Sequence, residues 1–329
     1  MAGQGYDLIG DLHGCARTLE QLLQLLGYRK QQGGYRHPSR KAVFIGDLVD
    51  RGSAIRETLQ LVRTMVEQGE AQVVIGNHEY NCIIYCQLAR EDSPRTYLRE
   101  HNPRHERQIR ETLQQMDRFA DEWRDYLDWF RQMPLYLEFE HFRAVHACWD
   151  QQLIAQMQHK GITDLSDDDL LHGSVERDSF EWLVTDRLLR GTQLHLPDDE
   201  VMVTVEGFRR HMYRTRFWGD KPYCHRDVTF QPDPLPEHIA SKPLTQAEHD
   251  QILHYGTEQK PLFIGHYWRQ GVPTTITDNI VCLDYSAVKD GKLVAYRMDQ
   301  ERCLDASKFV WVDVDPADIK PHRTPQVGV

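Results

Sequence analysis

The chain has 329 residues, of which 40% are apolar, so it is long enough to bury a substantial core in one large domain or two small ones. Its formal net charge of −11 argues against a general nucleic-acid-binding protein, because clustered Lys and Arg side chains hold phosphate backbones. No run of about 18 apolar residues is present, and the N-terminus lacks the features of a signal peptide. We therefore expect a cytoplasmic protein without a membrane span.

Three segments near the start of the chain share one pattern: a short apolar run, a Gly-Asp or Gly-Asn turn, and an amphipathic helical stretch. The apolar runs cover residues 6–10, 42–46 and 72–76. Leucines after the first run recur at helical spacing until Gly27, and the stripe after the second run ends near Gly69. This alternation indicates an α/β sheet with parallel strands, in which ligands bind beyond the carboxyl ends of the strands.

The middle of the chain follows a different pattern. Residues 104–132 predict one or two helices, whose aromatic side chains recur at helical spacing and so favour packing against the core. Residues 135–140 and 142–146 predict two strands joined by a tight turn. Between about 150 and 260 the periodicity is lost and prolines lie among polar residues, which indicates a cap or insertion. Further strands are expected at 262–265, 280–283 and 293–296, and their alternation indicates that they close a second sheet layer.

Side chains that can bind metal ions follow these predicted strands. The candidate ligands are Asp11, His13, Asp47, Asn77, His146 and His266. Carboxylate, imidazole and amide ligands without thiolates suit ions such as manganese, iron or zinc. A carboxylate can bridge two ions, and Asp47 is the candidate bridge because it lies in the middle of the set. Two ions about 3.5–4 Å apart polarise a phosphoryl oxygen and lower the pKa of a bound water, so that the water can attack in line.

Three further residues, Arg51, His78 and Asp50, suit the reaction itself. Arg51 can offer a forked guanidinium to phosphate oxygens, and Asn77, already a candidate metal ligand, is also a candidate substrate-binding residue. His78 is the candidate general acid that protonates the departing oxygen, with Asp50 holding its ring and favouring the charged form.

Each of these residues also has a structural interpretation. A single Asp between a strand and a helix more often caps the helix, and a single His after an apolar strand is more often a hydrogen-bonded core residue. The repetition of the pattern after three strands, together with the two later histidines, favours the metal site.

The short sequences GDLHG, GDLVDRG and GNHE, with His146 and His266 at later strand ends, resemble the calcineurin-like metallophosphoesterase superfamily. The resemblance is to the branch that contains PPP-type Ser/Thr phosphoprotein phosphatases and bacterial symmetrical diadenosine tetraphosphatases. It implies an α/β (α+β) fold in which a β-sandwich of two mixed sheets is flanked by helices, and this refines the parallel-sheet interpretation. It also implies that the first metal is bound by Asp11, His13 and Asp47, and the second by Asp47, Asn77, His146 and His266. In the same way it implies that His78 and Asp50 form the acid and that Arg51 holds the phosphate.

The chain departs from the pattern of this branch in places. The His-Ala-Cys sequence at 146–148 is closer to the His-Ala-Gly of the tetraphosphatases than to the His-Gly-Gly of the phosphoprotein phosphatases. Arg214, Arg216 and Arg226 are all candidates for the second phosphate-binding arginine. We expect a single domain over residues 1–329. Its core segments are expected at about 1–150 and 260–300, its cap at about 150–260 and an irregular C-terminal tail at about 312–329.

The expected activity is hydrolysis of phosphoric esters or anhydrides by direct attack of a hydroxide activated by two metal ions. Manganese is the first expectation for these ions, with iron, zinc, nickel or cobalt as alternatives. A nucleotide-like or small phosphorylated substrate, such as a dinucleoside polyphosphate, leads over a phosphoserine or phosphothreonine protein. A nucleic-acid substrate is disfavoured by the negative charge. The alternative from another class is a metal-binding scaffold without catalysis.

Overall fold

The computed structural model describes residues 4–203, 209–219, 221–230, 234–289 and 291–319. The first quarter of the chain alternates strands with helices, as its periodicity predicts. In chain order its elements are β1 (Gly5–Ile9), α1 (Ala16–Leu25), β2 (Arg29–Gln31), β3 (Gly34–Arg36), β4 (Arg40–Phe44), α2 (Ile55–Glu67), β5 (Ala71–Val73) and α3 (Asn77–Cys86). Strands β1, β4 and β5 are parallel neighbours, which confirms the predicted parallel sheet for this part of the chain.

The predicted helical region in the middle of the chain forms two helices, and the predicted strand pair follows it. The elements are α4 (Pro103–Met116), α5 (Ala120–Arg131), β6 (Tyr136–Glu138), β7 (Arg143–Val145), α6 (Gln151–Lys160), α7 (Asp168–Gly173) and α8 (Phe180–Arg190). The Asn102 side chain caps α4 by accepting from the backbone N–H groups of Arg104 and His105, at 3.1 and 2.9 Å. Tyr126 and Phe130 of α5 are buried in the main core, so the aromatic stripe packs inward as predicted.

The segment expected to form the cap contains two apolar clusters. Apolar side chains of α6, α7 and α8, among them Ile154, Leu171 and Leu188, are buried in the main core. A small separate apolar cluster forms only after these helices, around Leu194, Tyr213 and Ile239. The elements around it are β8 (Thr192–His195), β9 (Met202–Val203), β10 (Arg209–Arg210), β11 (Met212–Thr215), α9 (His225–Val228), α10 (Glu237–Ala240) and α11 (Gln246–Gln251). Within the segment from about 150 to 260, the three helices up to residue 190 thus bury their apolar faces against the main core, and the small cluster forms beyond them.

The last part of the described chain adds strands to both sheets. These strands are β12 (Leu262–Ile264), β13 (Ile280–Cys282), β14 (Asp284–Tyr285), β15 (Lys292–Met298) and β16 (Phe309–Asp313). The larger sheet has the order β14-β15-β1-β4-β5, with β16 also paired to β15, and the smaller sheet has the order β13-β12-β7-β6. Each sheet is mixed, since β15 is antiparallel to β1 and β6 is antiparallel to β7.

The two sheets pack face to face. Leu8 and Val43 from the larger sheet and Phe263 and Val281 from the smaller one belong to a single buried apolar cluster. The helices pack against the outer faces in a second cluster, which includes Leu19 of α1. The expected β-sandwich of two mixed sheets flanked by helices is thereby confirmed.

The end of the described chain is attached to the first helix. Asp318 is fully buried, and its Oδ2 accepts from the backbone N–H and the hydroxyl of Thr18, both at 2.7 Å. The tail expected from about 312 therefore includes the end of β16 and an ordered contact, while residues 320–329 lie outside the described part. Among the described residues, no helix has the length and apolar character needed to cross a bilayer.

Candidate metal centre

The candidate ligands lie at the carboxyl ends of strands from both sheets. Asp11 and Asp47 follow β1 and β4, and Asn77 is the first residue of the helix after β5. His146 and His266 follow β7 and β12, which are parallel to each other in the smaller sheet. Because the strands within each set are parallel, their ends bring these side chains to one edge of the sandwich.

Asp47 lies at the centre of this set. Its Oδ2 is 3.7 Å from Nε2 of His13, and its Oδ1 is 3.4 Å from Nε2 of His146. Two groups of side chains have ligand atoms within 4.8 Å of one another, and Asp47 belongs to both. One group adds His13 and His78, and the other adds Asp11 and His146. This grouping places Asp11 beside His146, whereas the family resemblance assigns Asp11 to the same ion as His13.

The other two candidate ligands adjoin the same cluster. Oδ1 of Asn77 lies 3.2 Å from Nε2 of His146. The backbone N–H of His266 donates to Oδ2 of Asp11 over 3.4 Å, and the rings of His146 and His266 have centroids 5.3 Å apart. All six predicted ligands therefore lie together, although 255 positions separate the most distant pair.

The tautomers of two histidines are set by backbone carbonyls. Nδ1 of His13 lies 2.8 Å from the carbonyl oxygen of Val49, and Nδ1 of His146 lies 2.7 Å from that of Ile45. Because each Nδ1–H donates to a carbonyl, the lone pair of each Nε2 faces the cluster. This is the orientation that a metal-binding imidazole requires.

Two buried polar atoms in the cluster lack partners. Within the described part of the chain, neither Oδ1 of Asp11 nor Nε2 of His266 accepts or donates a hydrogen bond. Buried polar atoms in folded proteins nearly always have a partner. The unpaired carboxylate oxygen and imidazole nitrogen both suit a divalent cation, so the residues present fit a metal centre.

The electrostatics of the cluster also fit a cation. Burial and the neighbouring Asp284 carboxylate raise the pKa of Asp11 well above its usual value. Burial likewise raises the pKa of Asp284. Burial acts in the same direction on Asp47, but His146 and the other nearby imidazoles outweigh it and hold the pKa of Asp47 well below its usual value. A divalent cation would offset the repulsion among these buried carboxylates.

The backbone is strained at several of the candidate positions. His13, Asp47, Asp50, Arg51 and His266 have φ angles of 45°, 52°, 67°, 70° and 59°, in the left-handed region. A residue with a side chain pays roughly 1 kcal/mol or more to adopt this conformation. Such strain persists where the surrounding structure holds it, and five of the eleven described non-glycine residues with positive φ are candidate site residues.

Close approach of the loops depends on two glycines. A Cβ atom at Gly76 would collide with the backbone nitrogen and Oδ1 of Asp47, and one at Gly265 would collide with Oδ1 of Asp11. These glycines therefore let the loops after β5 and β12 reach the two carboxylates.

The candidate acid is held from one side by a buried carboxylate. Nδ1 of His78 lies 2.6 Å from Oδ2 of Asp50. Asp50 in turn accepts from the hydroxyl of Thr112 on α4, and its backbone N–H donates to the same hydroxyl over 3.0 Å. The sequence analysis did not identify Thr112, since nothing in the helical pattern of α4 distinguishes a threonine that contacts a loop 62 residues earlier.

Arg51 lies over the opening of the cluster. Its Nη1 is 2.9 Å from Nε2 of His13, and its Nη2 is 3.1 Å from Nε2 of His78. The guanidinium thus faces the same space as the candidate ligands and the candidate acid, where it can donate to an anionic group.

Glu79 organises the loop that carries Asp47, and the sequence analysis assigned it no role. Its Oε2 accepts from the N–H groups of Gly76 and Asp47, each at 2.9 Å, and its Oε1 accepts from those of Leu48 and Val49, at 2.7 and 3.2 Å. Burial and the nearby Asp47 carboxylate raise the pKa of Glu79 to about 7. The sequence signals were its place at the end of the GNHE motif and its position three residues after Gly76, near the start of α3.

The cluster opens into a cavity of about 280 Å³. Arg214, Arg216 and Arg226 were the candidates for the second phosphate-binding arginine, beside Arg51. Of these three, only Arg214 lines this cavity. Arg216 donates to the carbonyl of Asp227 over 2.6 Å, and Arg226 pairs with Glu237 on the surface. Four further residues that had no site role in the sequence-based prediction line the cavity, namely Arg210, Trp268, Asp284 and Ser286.

Comparison with known proteins shows which sequences and structures the chain is similar to. The sequence model of the family described as calcineurin-like phosphoesterase matches residues 7–209. The asymmetrical bis(5'-nucleosyl)-tetraphosphatase PrpE of Halalkalibacterium halodurans is 46% identical over 74 residues, or 22% of this chain and 30% of that protein. The symmetrical bis(5'-nucleosyl)-tetraphosphatase of Marinomonas sp. is 32% identical over 167 residues, or 48% of this chain and 50% of that protein. The matches thus span between 30% and 50% of the length of these curated relatives.

One solved structure supports the fold. A protein serine/threonine phosphatase from Saccharomyces cerevisiae has a TM-score of 0.52 at 14% identity, covering 98% of this chain and 82% of that one. At this level of identity the similarity concerns the fold alone.

Proposed function

The chain belongs to the calcineurin-like phosphoesterase family, as the sequence analysis expected, and we propose that it hydrolyses phosphoric esters or anhydrides with two divalent metal ions. The observation that carries this proposal is the position of Asp47 within two groups of ligand atoms. A carboxylate shared by two such groups is suited to bridge two ions.

The ions of this proposal would be bound by Asp11, His13, Asp47, Asn77, His146 and His266. When bound, two divalent ions polarise a phosphoryl oxygen and supply a water of lowered pKa as the nucleophile. Manganese remains the first expectation because hard and borderline donors dominate the set, with iron, zinc, nickel or cobalt as alternatives.

The remaining site residues have distinct roles in the proposal. Arg51 and Arg214 bind the phosphoryl oxygens, since both guanidinium groups line the cavity over the candidate ligands. His78 protonates the departing oxygen through Nε2, which faces the cavity while Nδ1 is held by Asp50. Glu79 is a positioning residue, because it holds the backbone of Asp47 without reaching the cavity.

The proposed substrate is a nucleotide-like polyphosphate, with a dinucleoside polyphosphate as the lead compound. Three arginines, Arg51, Arg210 and Arg214, line one cavity in a chain whose net charge is −11, which favours a ligand that carries several negative charges. Two similar proteins are named as bis(5'-nucleosyl)-tetraphosphatases, one symmetrical and one asymmetrical, and this supports the same class. We also propose that the protein is located in the cytoplasm and forms a single domain with a cap.

The test is phosphate release by the manganese-loaded protein from three substrates: diadenosine tetraphosphate, p-nitrophenyl phosphate and a phosphothreonine peptide. Preference for the dinucleotide would support the proposal, and chromatography of its products would separate symmetrical cleavage to two ADP from asymmetrical cleavage to ATP and AMP. Preference for the peptide would replace it with a protein phosphatase. If neither the wild type nor Asp47→Asn releases phosphate from any of the three substrates, a non-catalytic scaffold would be favoured.

A further inference from the structure

A second cavity adjoins the metal centre. It encloses about 330 Å³, and its lining includes Trp268, Arg269, Gln270, Tyr285, Ser286 and Lys292. Two of these residues, Trp268 and Ser286, also line the cavity over the metal ligands. The two cavities therefore meet along these side chains. Small-molecule sites usually enclose about 300–1,000 Å³, so the pair together accommodates far more than one phosphoryl group.

The path of the chain after β12 accounts for the position of Trp268. Tyr267 is fully buried and its hydroxyl accepts from the backbone N–H of Thr192 over 3.3 Å. His266 and Trp268, on either side of it, both line the cavity over the metal ligands. The indole is half-buried, so part of its surface remains open to a ligand.

The loop that carries Trp268 is fastened to the strand that carries Asp284. The backbone N–H of Arg269 donates to the carbonyl oxygen of Asp284 over 2.8 Å. The next residue, Tyr285, accepts through its hydroxyl from the backbone N–H of Thr274 over 3.1 Å. These bonds hold the walls of the second cavity on elements that also form the metal centre.

Positive charge continues from the first cavity into the second. Among the residues that the structure describes, no carboxylate forms an ion pair with Arg269. Lys292 has one acidic neighbour, Asp313, at 3.8 Å, and that carboxylate is 85% exposed. An exposed pair at this distance contributes little. The Arg269 side chain hydrogen-bonds the Tyr285 side chain, which is a neutral partner, so the charge of both cations can still act on an anionic ligand.

From these observations we propose that the second cavity is a nucleoside subsite of the same active site. The phosphate chain of a nucleoside polyphosphate would extend from the metal centre past Ser286, between Arg269 and Lys292, and its base would stack on Trp268. The inference rests on the proposed hydrolase function. An indole offers a flat surface that every nucleobase can stack on, and arginine and lysine complement the intervening phosphates.

The main experiment compares Trp268→Ala and Trp268→Phe with the wild type, using manganese-loaded full-length protein. Steady-state kinetics are measured with diadenosine tetraphosphate and with p-nitrophenyl phosphate, which is too short to reach the second cavity. Loss of the stacking surface should lower kcat/KM for the dinucleotide about tenfold more than for p-nitrophenyl phosphate, chiefly through KM. The Phe variant should recover most of this loss. Trp311→Ala is the matched control, because Trp311 lies on β16 away from both cavities.

The outcomes separate this inference from the proposal that it rests on. Equal losses for the two substrates in Trp268→Ala would overturn the subsite while leaving the hydrolase proposal in place. Failure of the wild type to cleave either substrate would overturn the hydrolase proposal, and the subsite with it.

A second measurement does not depend on turnover of the dinucleotide. ADP and inorganic phosphate are compared as inhibitors of p-nitrophenyl phosphate hydrolysis by Arg269→Gln and by the wild type. In Arg269→Gln the inhibition constant for ADP should be several-fold higher than in the wild type. The constant for phosphate, which needs only the first cavity, should change much less. Equal changes for both inhibitors would contradict a role of Arg269 in the second cavity.

Discussion

Oδ2 of Asp50 lies 2.6 Å from Nδ1 of His78, and the carboxylate has no exposed surface. The pair directs Nε2 of His78 into the cavity, 3.1 Å from a guanidinium nitrogen of Arg51. A proton donor in this position assists the departure of a poor leaving group far more than that of a leaving group already stable as an anion.

We therefore predict that His78→Asn keeps its metal ions but loses activity according to the leaving group. The loss of kcat should be about 100-fold for an alkyl phosphate and much smaller for p-nitrophenyl phosphate, as expected for removal of a general acid. Asp50→Asn should show the same dependence with a smaller loss, since the imidazole remains but is no longer oriented by a carboxylate. A loss independent of the leaving group would contradict the acid role.

Replacement of the shared carboxylate should remove metal and activity together. Asp47→Asn takes away the negative charge between the two ligand groups, so bound manganese, measured by elemental analysis after gel filtration, should fall to one ion or fewer per chain. Activity should fall about 1,000-fold or more, in line with loss of an ion that activates the nucleophile. The control is Asp121→Asn, because the Asp121 side chain is 95% exposed and remote from the site. Full activity in the Asp47 variant would exclude the bridging assignment.

Manganese should stabilise the protein, and the effect should grow with pH. The pKa values of Asp11 and Asp284 are raised in the folded protein by burial, above the usual value of 3.8. A carboxyl group of this kind contributes stability below its unfolded pKa and loses that contribution as pH rises through the folded value. The metal-free protein is thus penalised at higher pH, while binding of a cation requires the same groups to be deprotonated.

The measurement is thermal unfolding with chelator or with manganese over a pH series from about 4, close to the usual carboxyl pKa, to about 8. At a concentration of 100 times Kd the ion should add about 2.7 kcal/mol to the free energy of unfolding. The increase in Tm caused by manganese should grow from the acidic end of the series to the other end. An increase that stays constant or falls across the series would contradict the assignment of these buried carboxylates.

Glu79 should be important for stability as well as for metal binding. Its carboxylate accepts four backbone N–H groups, and Glu79→Ala would leave these buried donors unpaired. We expect a loss of about 3 kcal/mol or more in the free energy of unfolding, measured by urea denaturation of the metal-free protein. Glu79→Gln, which keeps one acceptor oxygen, should lose less. An unchanged urea midpoint for the Ala variant would exclude the positioning role.

The contact between the chain end and α1 should affect stability but not catalysis. Asp318 accepts from the backbone N–H of Thr18, near the start of that helix, and from its hydroxyl. Asp318→Ala should lower the free energy of unfolding by about 1–2 kcal/mol, the usual cost of losing a helix N-terminal cap. The kcat per folded molecule should remain that of the wild type. Asp92→Ala, at an exposed position on a loop, provides the control, and an equal loss in both variants would show that the contact is not specific.

Much of the candidate metal centre could be predicted because its residues have local signals. Asp11, Asp47 and Asn77 each follow an apolar strand by a short turn, and the alternation of strands and helices requires those turns to lie at one edge of a sheet. This pattern of an apolar strand followed by a polar turn involves only neighbouring residues, so it can be recognised without knowledge of the fold. Periodicity predicted a parallel sheet and late strands that close a second layer, while the sandwich of two mixed sheets came from the resemblance. The prediction is wrong for β15, which pairs antiparallel with β1 in the larger sheet, because this pairing joins segments almost 290 residues apart.

Other features were decided only by the tertiary structure. Of three arginines with equal standing in the sequence, the structure places Arg214 in the cavity and directs Arg226 to Glu237 on the surface. Likewise Thr112 reaches Asp50, and Trp268 lines both cavities, through contacts that no local pattern encodes. The sequence by itself determined which ligands are available and where each turn follows a strand, since both depend on neighbouring residues. The long-range packing of sheets, helices and loops decided which cations and aromatic side chains surround those ligands.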